Sequence, residues 1–232
     1  VTGPWTLAAE LWSARGDRVL ADTGARRDLA LALAEGVRAH LGDVRAQVPG
    51  AEVVVQLAEP LLGQVNAGVL PTFSGFSRIR AVPGPDVVEG LRPVVDAAHD
   101  AAATVVVHLG PTWVGIPPVA LAGADAFGLD VGGLGGWNEQ AWELVARASE
   151  RGLGLWAGLP PATVSQCSGP QLGELVTLVA EPWRRIGLPA SGLDGVTLLA
   201  APRQRLATVD EHRAELANLG RIAEVLAERA TL

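Results

Sequence analysis

At 232 residues and 49% hydrophobic composition, the chain has enough apolar surface for one sizeable core, and a single α/β domain is the expected organisation. Its net charge of −7 comes from 25 acidic and 18 basic residues, and the arginines are scattered except at Arg26-Arg27 and Arg184-Arg185, which excludes a nucleic-acid surface built on clustered cations. Lysine, tyrosine and methionine are absent, so Schiff-base catalysis by lysine and proton donation by tyrosine are ruled out. The single cysteine, Cys167, has no partner for an internal disulfide, and no apolar run approaches the roughly 20 residues that span a bilayer. With no signal-peptide layout, the expectation is a cytoplasmic protein that meets a small molecule, with no nucleic-acid or membrane partner.

Short β-branched runs alternate with longer helical patterns, the signature of βα units and a parallel sheet. In chain order, the opening residues near Val1 read as a strand, and Asp28 to Val48 reads as a helix with apolar residues at Leu29, Leu33, Val37, Leu41 and Val44. Strands are expected at Glu52–Leu57 and Thr104–Leu109, with a helix over Asp86–Ala103 between them. Further strands are expected at Ala126–Val131, Gly154–Ala157 and Gly195–Ala200, separated by helices over Glu139–Arg151 and Gln171–Ile186. Thr208-Val209-Asp210-Glu211 is a capping-box pattern that opens a last helix running to about Ala230. Pro-Gly and Pro-Pro pairs, among them Pro49-Gly50, Pro117-Pro118 and Pro160-Pro161, mark the junctions. Six parallel strands are two short of a closed (β/α)8 barrel of the TIM type. Since position 1 is not methionine, the expectation is that this chain supplies the last six βα units and that an N-terminal segment precedes it; a homo-oligomer would also cover the exposed edge. An open doubly wound sheet is the alternative.

In either architecture ligands approach the carboxyl ends of the strands. The residues there are Thr2-Gly3-Pro4-Trp5, Gln56-Leu57-Ala58-Glu59-Pro60, His108-Leu109-Gly110, Asp130, Leu159-Pro160 and Ala200-Ala201-Pro202. The first two of these motifs, followed by Val69-Leu70-Pro71-Thr72-Phe73-Ser74-Gly75-Phe76 and by the histidine closing Val105-Val106-Val107-His108, resemble in kind and order the catalytic domain of the cobalamin-independent methionine synthase family, most closely its short actinobacterial relatives.

The resemblance implies methyl transfer from a methyl-folate to a thiol such as homocysteine, with zinc lowering the thiol pKa. It implies His108 and Asp130 as metal ligands and Glu59 as a catalytic carboxylate; beside it, Arg78 and Arg80, which follow the Ser74-Gly75 loop, are candidates to bind a folate glutamate tail or another carboxylate by paired donors, and Trp113, beyond a strand end, is a candidate to stack on a flat substrate. The match is incomplete, because Gly110 stands where the first metal cysteine belongs, Ala200-Ala201 lacks the second, and Ala58 replaces the aspartate that holds the substrate amino group. Two further readings follow: a catalytically inactive relative that keeps a small-ligand pocket, and a metal-free enzyme of the uroporphyrinogen-decarboxylase kind, the latter by fold analogy alone.

Structural roles compete at each position. Glu59 can cap the helix that follows it, His108 can bond a neighbouring loop, and Asp130 can cap a βα loop. Arg78 and Arg80 can be solvated loop residues. Trp113 and Trp137 can stack on a flat ligand or pack as lids. Gly132-Gly133-Leu134-Gly135-Gly136 lacks the spacing of a phosphate-binding fingerprint and reads as a flexible loop. His40, His99 and His212 fall within helices, in structural or exposed positions.

Overall fold

The computed structural model describes residues 1–14, 16–134, 137–203 and 206–231. It is an α/β protein whose strands lie in a parallel sheet in the order in which they occur along the chain. Two compact units divide it, Val1–Leu109 with Val114–Phe127, and Gly110–Trp113 with Gly128–Leu232.

In the first unit the opening residues pair with β1 (Val54–Ala58). Ala58 N–H donates to the Val1 carbonyl at 2.8 Å, and Gly3 N–H donates to the Ala58 carbonyl at 2.9 Å. The expected first strand is thus an isolated parallel bridge at Thr2, because Pro4 has no N–H to extend the ladder and its fixed φ suits the first turn of α1 (Pro4–Glu10). The long helix α2 (Thr23–Gln47) starts at Asp22, whose side chain accepts from Ala25 N–H, and buries Ala30, Ala34, Val37 and Leu41 along one stripe. After β1 come α3 (Leu62–Ala67), a hairpin loop, and α4 (Gly84–Asp100), which buries Val87, Leu91, Val94, Val95 and Ala98. Next is β2 (Thr104–His108), in register with β1 from Val54↔Thr104 to Ala58↔His108. Its valines are fully buried, as strands covered on both faces require. Helix α5 (Ile116–Ala122) begins on Pro117-Pro118, so that pair opens a helix where the sequence pattern marks only a junction.

The strand β3 (Ala126–Asp130) leads into the second unit, where a tight turn at Val131–Gly133 precedes α6 (Glu139–Glu150). Asn138 caps α6, and Trp142 and Val145 fill the space beneath it. Then follow β4 (Gly154–Leu159), the short α7 (Pro161–Ser165) and α8 (Gly169–Arg185), whose Leu175, Val176, Val179 and Trp183 are buried. The last strand, β5 (Thr197–Ala200), pairs with β4 from Trp156↔Thr197 to Leu159↔Ala200. Helix α9 (Val209–Ala230) opens with the expected capping box, in which Glu211 N–H donates to Thr208 Oγ1 and Thr208 N–H donates to the Glu211 carboxylate at 2.8 Å. Glu215 of α9 is buried and ion-paired at 2.6 Å with Arg203, which anchors the start of the β5–α9 connection. No described helix is long and apolar enough to cross a membrane.

Candidate functional site

Glu59 follows β1 directly, and its backbone N–H donates to the His108 carbonyl at 2.7 Å, so the two candidate residues end neighbouring strands of the first unit. The Glu59 carboxylate turns toward α1. Oε1 accepts from Trp5 N–H at 2.9 Å, and Oε2 accepts from Thr6 N–H and from the Thr6 hydroxyl, both at 2.7 Å. It therefore takes up two of the orphan donors at the start of α1. The helix it serves is α1, more than fifty residues earlier in the chain, and not the helix that follows it.

The fit is close. A Cβ on Gly3 would stand 2.4 Å from Glu59 Oε1, so only glycine leaves room for the carboxylate. Glu59 is 0% exposed. Burial raises its pKa to about 7, and the bonds from Thr6 and Trp5 pull in the opposite direction without overcoming the loss of water.

His108 closes β2 and is buried, which holds its imidazole below the ordinary histidine range and favours the neutral ring. Asp130 closes β3 and belongs to the second unit, where its side chain lies over β4. A Cβ on Gly158 would meet Asp130 Oδ1 at 2.4 Å. Burial raises the Asp130 pKa to about 6.

Arg78 and Arg80 lie on the hairpin loop between α3 and α4, where Pro71 and Arg78 form an antiparallel bridge. Both arginines are exposed, and the Arg78 guanidinium donates to the Val69 carbonyl. The same loop carries Phe73 and Phe76 into solvent, Phe73 lying edge-on to Trp12 with ring centres 6.0 Å apart. Trp113 is half-buried in the 110–113 segment of the second unit. Of the glycine run, Gly132 and Gly133 lie in the tight turn after β3, and Gly135 and Gly136 lie outside the described residues.

The first unit holds a cavity of about 450 Å3 between α1, α2 and α4, and the second a groove of about 660 Å3 against α6 and α8. Glu59, His108, Asp130, Arg78, Arg80 and Trp113 line neither of them, whereas Pro4 and Trp5 of the first strand-end motif line the cavity and Trp137, read from the sequence as a stacking surface or a lid, lines the groove. Thr6, Arg185 and Arg229 are the polar groups that the strand-end reading missed. Thr6 sits one residue beyond the Thr2-Gly3-Pro4-Trp5 motif, and Arg185 belongs to one of the two adjacent arginine pairs, so faint signals for both were present.

The zinc of the methionine-synthase scheme needs a histidine, two thiolates and a carboxylate. Gly110, where the resemblance would put the first thiolate, has φ +62°, a conformation that a cysteine side chain would strain. Cys167 sits in the turn between α7 and α8, its thiol directed at the adjacent Ser168 carbonyl. Among the described residues no three His, Cys, Asp or Glu side chains converge to hold a metal ion. The donor set does not fit that zinc.

Compared with models of known protein families and with curated proteins, the chain matches none.

Proposed function

We propose that the chain is a methionine-synthase-like (β/α) barrel domain in which the fold and a small-ligand pocket persist, while zinc-dependent methyl transfer from a methyl-folate to a thiol has been given up. The observation that carries this reading is the engagement of Glu59. With Ala58 in place of the substrate-binding aspartate, Glu59 is the carboxylate left at the end of β1, and its oxygens are taken by Trp5 and Thr6 and closed to solvent. A carboxylate so placed meets a substrate amino group only if α1 is displaced. The donor set at Gly110 and Cys167 supports the same reading, and the parallel sheet with its following helices is consistent with a partial barrel of the TIM type.

The test is zinc stoichiometry by elemental analysis after dialysis against a weak chelator, combined with an assay of methyl transfer from methyl-tetrahydrofolate to homocysteine in added zinc. The expected result is no retained zinc and no methionine. Stoichiometric zinc together with methionine formation would overturn the proposal and identify an active methyltransferase.

A further inference from the structure

The groove of the second unit has the size of a small-molecule site, at about 660 Å3. Trp142 lies beneath it, and Leu178 and Pro182 of α8 add apolar wall. On one side the Arg185 guanidinium stacks over the Trp137 ring, 4.1 Å from its centre. Stacking uses the face of a guanidinium and leaves its N–H edge for a planar acceptor.

Arg229, in the last turn of α9, lines the same groove. Among the described residues neither Arg185 nor Arg229 makes a hydrogen-bonded ion pair: Glu181, one turn before Arg185 on the same wall, accepts its hydrogen bonds from Arg184 at 3.2 and 2.8 Å and meets Arg185 only through its charge. Glu174, the other lining carboxylate, precedes Arg185 by eleven positions on α8, which places it about 16 Å away along the helix axis. One end of the groove therefore carries two guanidinium groups and an indole against one carboxylate, Glu181, which is already hydrogen-bonded to Arg184, while Glu174 stands at the other end.

We infer that this groove binds a small organic anion with a flat apolar body, its carboxylate or phosphate held by Arg185 and Arg229 and its body against Trp137 and the apolar wall. The inference does not depend on the methionine-synthase reading, since none of its residues belongs to the strand-end motifs.

Two probes share the required chemistry and separate its sources: indole-3-acetate carries a carboxylate and adenosine monophosphate a phosphate. Calorimetric titration of the whole chain should show saturable binding of at least one, and the one that binds names the anion. Arg185→Ala should weaken that binding by about tenfold or more, as loss of a charge-assisted bidentate contact does. Arg185→Lys, which keeps charge but loses the planar fork, should weaken it less, and Arg229→Ala should also weaken it. Failure of both probes to bind with Kd tighter than about 10 mM overturns the inference. So does undiminished affinity in a folded Arg185→Ala, Arg229→Ala double variant.

Discussion

The end of β1 and the groove along α8 dispose of their charges in opposite ways. At β1, Glu59 is buried and its oxygens accept from the start of α1, so its hydrogen-bonding capacity serves the fold. Along α8, Arg185 rests on an indole and Arg229 lines the same groove, while the hydrogen bonds of the neighbouring Glu181 go to Arg184, so neither arginine is held in a hydrogen-bonded ion pair among the described residues. A buried polar group with all its partners is evidence of architecture, whereas charged groups that share a groove and make no hydrogen-bonded ion pair point toward a ligand. The sequence motifs drew attention to the first, and the inferred anion site lies in the second.

The comparison breaks most visibly if Glu59 is truncated. Glu59→Ala leaves Trp5 N–H, Thr6 N–H and the Thr6 hydroxyl buried without acceptors, and a loss of about 3–4 kcal/mol is expected in urea unfolding. A loss under about 1 kcal/mol would mean that water or a rearranged α1 replaces the carboxylate.

A second effect, somewhat smaller, comes from pH. With the folded pKa of Glu59 near 7 and the ordinary value at 4.5, the folded state holds a proton that the unfolded state releases between those values. The contribution is fully present below about pH 4.5, and stability falls as pH rises through 7, by on the order of 3 kcal/mol from this group. Urea midpoints at pH 5 and pH 8 in the wild type and in Glu59→Gln should diverge, the variant being the flatter; parallel profiles would assign the pH dependence to other groups.

The smallest effect belongs to the groove. Arg185→Ala should change stability by about 0.5 kcal/mol or less, since it removes one stacking contact at an exposed position. A large drop in thermal midpoint would show that Arg185, like Glu59, is part of the architecture.

What could be read from the sequence was local. The apolar runs from Val105 to Val107 and from Phe127 to Leu129 fall within strands because continuous apolar character needs cover on both faces, and Thr208 with Glu211 declares the start of α9 because both halves of the box lie within four residues. The misreadings have equally local causes. Pro117-Pro118 and Pro160-Pro161 look like breaks, yet proline suits the first turn of a helix, where its missing N–H costs nothing; α5 and α7 begin there. Glu59 was legible as a carboxylate at a strand end but not as the cap of a helix from far earlier in the chain. Arg185 and Trp137 stand 48 positions apart, and no periodicity records a contact of that range.

The clamp between Glu59 and α1 also bears on the order of folding. It joins positions separated by 53 and 54 residues, and closing a flexible loop of that length costs on the order of 3 kcal/mol in chain entropy, comparable to what the clamp contributes once made. A contact of that separation is expected to form late, on the native side of the folding barrier, so Glu59→Ala should act mainly by speeding the unfolding of the first unit, which unfolding kinetics would read.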